Sequence, residues 1–291
     1  MAEQQSSDKP AARSPWLGFS FAVLGLVLVA TALQSAIGLS TAFSIEALAM
    51  IYLPAVLLTL YCAARKLTLW ANLLQAIGIP LGIFASTFMF VHNLQVMSDT
   101  QELFPGIARS FLAIFHGGMI AAFGYFMAPQ NHFTANIVQQ KDKLVVIALT
   151  TTPLIAGFLL FETTPAAYVD RTSAALFLAP FAFLLAQSRK PITSVLLLRG
   201  AIVGMLGPVL ISMVGWLMGQ GNTMLLGPAL AIGLLSELYG SWLIFIIGCF
   251  RHNTATAISD LWRTSWHALE IYALLILVVF APPSIIEILN S

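Results

Sequence analysis

Residues 193–218, TSVLLLRGAIVGMLGPVLISMVGWLM, and 224–249, MLLGPALAIGLLSELYGSWLIFIIGC, are apolar runs that each hold a single charge, Arg199 in the first and Glu237 in the second. About twenty such residues cross a hydrocarbon core of about 30 Å as a helix, the open-chain form that satisfies its own backbone there. Comparable runs stand at 16–38, 46–63, 69–94, 107–128, 144–161, 173–187 and 266–281, which makes nine predicted spans, 173–187 being the shortest. Composition points the same way: 59% of residues are hydrophobic, 9% are charged and the mean hydropathy is +0.89, whereas a soluble domain carries about 25% charge. The expected fold class is an all-α polytopic membrane protein.

If the spans alternate, Lys9, Arg13, Arg65, Lys66, Lys141, Lys143, Arg189, Lys190, Arg251 and Arg263 fall on one side, while the other receives mainly Arg109 and Arg171. Basic residues stay on the cytoplasmic side, so the N-terminus is expected inside and the C-terminus outside. Arg199 lies near enough to the cytoplasmic end of its span to snorkel back to that surface. The first apolar run is longer than the core of a signal peptide and reads as an uncleaved anchor.

A net charge of +1 gives no reason to expect nucleic acid as a partner. Cys62 and Cys249 both sit at cytoplasmic span ends and the five histidines are scattered, which suggests neither a disulfide framework nor a metal centre. No nucleophile with a base, phosphate loop or cofactor motif is evident, so an enzyme is not expected. The partner certain from composition is membrane lipid.

The chain also repeats itself. Ala76 and Gly82 match Ala201 and Gly207 at an offset of 125, and Pro105, Ala108, Leu112 and Gly117 match Pro228, Ala231, Leu235 and Gly240 at an offset of 123. Each copy has a glycine-punctuated helix, a short outer loop holding Met97 or Met218, and a proline opening the return helix. The expected organisation is a cytoplasmic tail (1–15), a four-helix unit (16–129), a cytoplasmic linker (130–143), a second four-helix unit (144–251), and a linker with the ninth helix (252–291). With an even number of spans each, the two units lie parallel and not inverted.

PLGIFASTFMFVHNLQ from Pro80 with PGIARSFLAIFHGG from Pro105, and LGPVLISMVGWLMGQ from Leu206 with GPALAIGLLSELYGS from Gly227, resemble the third and fourth spans of the MotA, ExbB and TolQ ion-channel family, MotA above all. YVDRTSAALFLAPFAFLLA from Tyr168 is similar to the family's second span. The family's cytoplasmic portion between spans two and three shrinks here to Arg65-Lys66 and to residues 188–191, which removes any part played by that domain. The resemblance implies a proton- or sodium-conducting subunit of a bacterial inner membrane. It further implies a homo-oligomeric ring around a single-span MotB- or ExbD-like partner with an acidic residue in its span.

On the family motif, Glu237 falls where a threonine faces the ion path, flanked by Ser236 and Tyr239; the first copy has Ile114 at the matching position. Only the second copy keeps a polar group there, so it is the copy expected to line the pore. Glu237 lies about twelve residues into its span, roughly 18 Å deep, where ionisable groups cost about 2.5–3.5 kcal/mol and face protein, water or a partner charge. A carboxyl hydrogen-bonded across a helix interface is the other reading. Pro80 and Pro208 each free a helix carbonyl, and His116 is titratable near neutral pH. Glu270, near the start of the ninth span, would be the acidic residue of a fused partner helix or a surface charge.

Gly200, Gly204, Gly207, Ser212 and Gly215 form a small-residue stripe on the seventh span, and Gly233 and Gly240 share the Glu237 face of the eighth. Such stripes receive either a neighbouring helix of the same chain or a partner. Two rival functions stay open: a secondary transporter of a small solute, and a non-conducting scaffold with the same fold.

Overall fold

A computed structural model describes residues 20, 23, 24, 27, 28, 31, 44–65, 70–96, 100–128, 143–187, 193–218, 223–250 and 255–290. Eight helices follow in order: α1 (Ile45–Ala64), α2 (Trp70–Val96), α3 (Thr100–Met127), α4 (Lys143–Leu160), α5 (Arg171–Gln187), α6 (Ser194–Met218), α7 (Thr223–Phe250) and α8 (Ala255–Asn290). A 3-10 turn, Pro165–Tyr168, joins α4 to α5, and the described residues contain no strand. Among the described residues six helices, α1, α2, α3, α4, α6 and α7, are long and apolar enough to cross a membrane. The expected span 16–38 lies outside the described residues except at six positions, all helical. Residues 130–142 of the expected linker and Met97 also lie outside them.

Proline does not end these helices. Pro54, Pro80, Pro153, Pro180 and Pro208 lie inside α1, α2, α4, α5 and α6. Its fixed φ is a helical value, and neighbouring helices in a membrane bundle re-satisfy the groups it frees. The same reasoning corrects the ninth span: Pro282-Pro283 was expected to close it at 281, whereas α8 continues to Asn290 and already begins at Ala255. Its 36 residues extend about 54 Å at about 1.5 Å per residue, longer than a hydrocarbon core is thick.

Two tight hairpins organise the bundle. In α2–α3, a Cβ placed on Gly78 would lie 2.5 Å from the Gly117 carbonyl oxygen and 2.6 Å from the Ala121 nitrogen, and one on Gly82 would lie 3.0 Å from the Gly117 Cα. Only glycine lets two backbones approach so closely. In α6–α7 the contacts are filled by side chains: Met205 stands against Gly240, Ser212 against Gly233 and Ala229 against Gly215. Each hairpin carries a further helix that touches both its members, α1 on α2 and α3, and α5 on α6 and α7. The hairpins meet along α2 and α7; α4 bridges α1 and α7, and α8 lies on α2, α6 and α7.

The polarity is that of a protein solvated by hydrocarbon. Leu60, Leu144, Leu159, Phe183, Val214 and Leu277 are exposed, while Asn72, Ser86, Thr87, Ser110, His116, Ser212, Ser236, Glu237 and Ser241 are buried. Most of the buried hydroxyls bond back to their own helix, as Thr87 does to the Ile83 carbonyl and Ser236 to that of Ile232. This pattern satisfies a hydroxyl without a second helix.

Candidate functional site

Among the described residues Glu237 is the buried carboxyl, with 0% of its surface exposed and neither carboxyl oxygen hydrogen-bonded within the structure. It stands mid-helix in α7, and the hydroxyl of Ser241 donates to its backbone carbonyl at 2.6 Å. The glycine contacts fix what it faces. On α6, Met205 opposes Gly240 and Ser212 opposes Gly233, so Glu237 is level with Pro208. On α8, Leu261 opposes Gly248 and Leu275 opposes Gly233, which places Ile271 and Tyr272 at the level of Glu237. On α2, Ile77 lies beside Gly248 and sets the height of that helix at the seam.

Helix geometry aims the carboxyl. Side chains lean toward the helix N-terminus and over the preceding turn, so the Glu237 carboxyl projects above Gly233. That glycine lets α6 and α8 pack closely there: a Cβ on it would lie 2.7 Å from the Ser212 Oγ and 3.1 Å from the Leu275 Cδ1. Ser212 is also buried, and its hydroxyl has no hydrogen-bond partner within the structure. Near them Tyr272 of α8 shares a 2.8 Å hydrogen bond with Ser86 of α2, both side chains fully buried. Four helices of one chain thus gather Tyr272 and Ser86 at the level of Glu237, with Ser212 one turn away against Gly233. An ionised carboxylate there must find a donor or a cation, because an unpaired buried charge is among the costliest arrangements in a protein.

The other expected site residues lie elsewhere. Tyr239, two residues past Glu237, points to the opposite side of α7, where its hydroxyl donates to the Tyr168 carbonyl at 2.9 Å and accepts from the Asp170 N–H at 3.2 Å. Ser236 is buried on its own helix. Pro80 is buried in α2, well toward its N-terminal half. His116 of α3 is buried and shares a 3.2 Å hydrogen bond with Tyr52 of α1. Glu270 is exposed at 69% and pairs with His267 on the surface of α8 at 2.9 Å. The α6 stripe divides: Gly200 receives the Phe181 ring and Gly204 the Phe177 ring of α5, Gly215 meets Ala229, and Gly207 has nothing within 4 Å of its would-be Cβ.

Tyr272 and Ser86 were not among the expected residues. A tyrosine within an apolar run reads as one more large aromatic, and the serine as a small packing residue; only the crossing of α2 and α8 brings the two together. Among the described residues no group of three or more His, Cys, Asp or Glu side chains gathers to hold a metal. An almost wholly apolar recess of about 370 Å³ opens between α1, α2 and α3, lined by Tyr52, Val56, Trp70, Met119 and Phe123. It suits hydrocarbon and does not reach Glu237. Compared with protein-family models, with curated proteins and with solved structures, the chain matches none.

Proposed function

We propose that this chain is a MotA-like ion-channel subunit of a bacterial inner membrane, with nine spans, the N-terminus in the cytoplasm and the C-terminus in the periplasm. In this reading protons or sodium ions pass by way of Glu237, and their flow drives a partner that reaches the periplasm. One observation carries the reading: a fully buried, mid-helix carboxyl with no hydrogen-bond partner within the chain. Such a group holds a proton or a cation, and exchange between the charged and compensated forms is the elementary step of ion conduction.

The two-unit organisation that belongs to the proposal draws support from a pair of side chains. His116 and Tyr239 stand 123 residues apart, the repeat offset, and each bonds a partner in or just before the second helix of its own unit, Tyr52 in α1 and Tyr168 ahead of α5. The units differ at Glu237 against Ile114, so the second unit supplies the ion site and the first supports it through α2. A second reading, a self-contained secondary transporter, is favoured by the enclosure of Glu237 within four helices of a single chain.

Co-purification from native membranes separates the two readings. A channel subunit brings down a single-span protein with an acidic residue in its span, in a homo-oligomeric ring. Recovery of the chain alone, together with solute uptake by it, would favour the transporter.

A further inference from the structure

The ninth helix joins the ion site through Tyr272. If the reading of Glu237 as the ion-binding group holds, loss of its proton leaves a carboxylate that needs a donor, and the bundle places one hydroxyl donor at its level on α8. We propose that the Tyr272 hydroxyl exchanges partners, bonding Ser86 of α2 while Glu237 is compensated and turning to donate to the Glu237 carboxylate when the ion leaves. α8 thereby senses the occupancy of the site.

Three features support this. Tyr272 and Ser86 are fully buried and share a 2.8 Å bond in which either oxygen donates, so the Tyr272 O–H is free to change acceptor. The carboxyl is unpartnered, and Tyr272 stands at its level on α8 by the Leu261–Gly248 and Leu275–Gly233 contacts. Ser86 also keeps a local alternative once released, since a helical serine can donate to the carbonyl four residues back, here that of Gly82. The proton that leaves Glu237 goes to the ion path, the Tyr272 proton stays on its own oxygen, and no bond other than hydrogen bonds is made or broken.

The surroundings favour Tyr272 as the responding group. α2 presents Ser86 and Thr87, the latter bonded back to the Ile83 carbonyl, and α6 presents Ser212 one turn from Glu237, against Gly233. On α6 Arg199 is exposed, and on α8 Asp260, Arg263, His267 and Glu270 lie on exposed or half-buried positions. On α7 itself Tyr239 points away from the carboxyl toward the turn before α5.

The test uses the full-length protein in lipid nanodiscs and infrared difference spectroscopy of the Glu237 carboxyl stretch, assigned by its loss in Glu237→Gln. In Ser86→Ala the released Tyr272 hydroxyl bonds the carboxyl and the band moves to lower frequency; in Ser86→Ala combined with Tyr272→Phe it returns to the native position. A band that stays put in Ser86→Ala overturns the exchange. Ion flux in membrane vesicles gives an independent readout. Tyr272→Phe lowers flux on the order of tenfold, the scale of one hydrogen bond to a charged group, Ser86→Ala does not, and Tyr272→Phe adds nothing to Glu237→Gln. Equal losses from Tyr272→Phe and Ser86→Ala would make their bond a plain structural tie and refute the proposal. If the band behaves as expected while Glu237→Gln conducts like the native chain, the exchange stands and the ion-channel reading fails.

Discussion

Replacing Gly117 with Ala tests the α2–α3 hairpin against a matched control one residue away. The new Cβ would meet the Gly78 carbonyl oxygen and lie 2.6 Å from the Gly82 Cα and 2.9 Å from the Gly82 nitrogen, all backbone atoms of α2. Real Cβ contacts are rarely under 3.4 Å, so the helices must part by several tenths of an ångström along their closest approach. Overpacking of this kind costs about 1–3 kcal/mol, and with backbone on every side the upper end applies. Ala gains about 1 kcal/mol over Gly as a helix former, which leaves a net loss of about 2 kcal/mol. Gly118 has nothing within 4 Å of its would-be Cβ, so Gly118→Ala keeps the propensity gain and meets no clash. Unfolding of both variants by denaturing detergent, followed by helical circular dichroism, reads the difference. Equal stability of the two would refute the close-approach argument.

Three further outcomes are expected. Glu270→Gln changes stability by less than about 0.5 kcal/mol, since its pair with His267 is exposed, and leaves ion flux untouched, which flux in vesicles checks directly. Tyr239→Phe removes two hydrogen bonds to the turn before α5 at about 1 kcal/mol each, and hydrogen exchange across residues 161–170 should rise while α2 stays protected. Asp170 caps α5, accepting from the Ser173 N–H at 2.6 Å and its hydroxyl at 2.7 Å; these bonds, the N–H first, hold its carboxyl below the usual carboxylate range against a smaller opposing effect of burial. A depressed folded value means that this capping stability is fully present above the unfolded value near 3.8 and is lost as pH falls through the folded one. Asp170→Ala should therefore cost about 1 kcal/mol at neutral pH and much less in acid, as unfolding series at the two pH values would show.

Much of the helix order was legible because apolar length is a local property. The runs at 46–63, 69–94 and 193–218 coincide with α1, α2 and α6 to within a few residues. The start and end of α8 were not, because Pro282-Pro283 reads locally as a stop whereas the helix geometry accepts it. The mid-span place of Glu237 followed from its position in the run, but its unpartnered carboxyl oxygens and its neighbours did not. A stripe of small residues announces that something packs closely without saying what, and Phe177 and Phe181 of α5 fill part of the one on α6. The Tyr272–Ser86 bond joins residues 186 apart in sequence; no periodicity within either helix encodes which partner lies across the crossing.

The central claim is that Glu237 carries the ion. Vesicles from cells producing the native chain or Glu237→Gln, loaded with a pH-sensitive or sodium-sensitive dye and given a gradient, measure it most directly, with equal amounts of folded protein verified in each membrane. Glu237→Gln keeps the size and hydrogen-bonding shape of the side chain and removes only its ability to ionise. The account predicts native flux at least tenfold above that of the variant; equal flux from the two would contradict it.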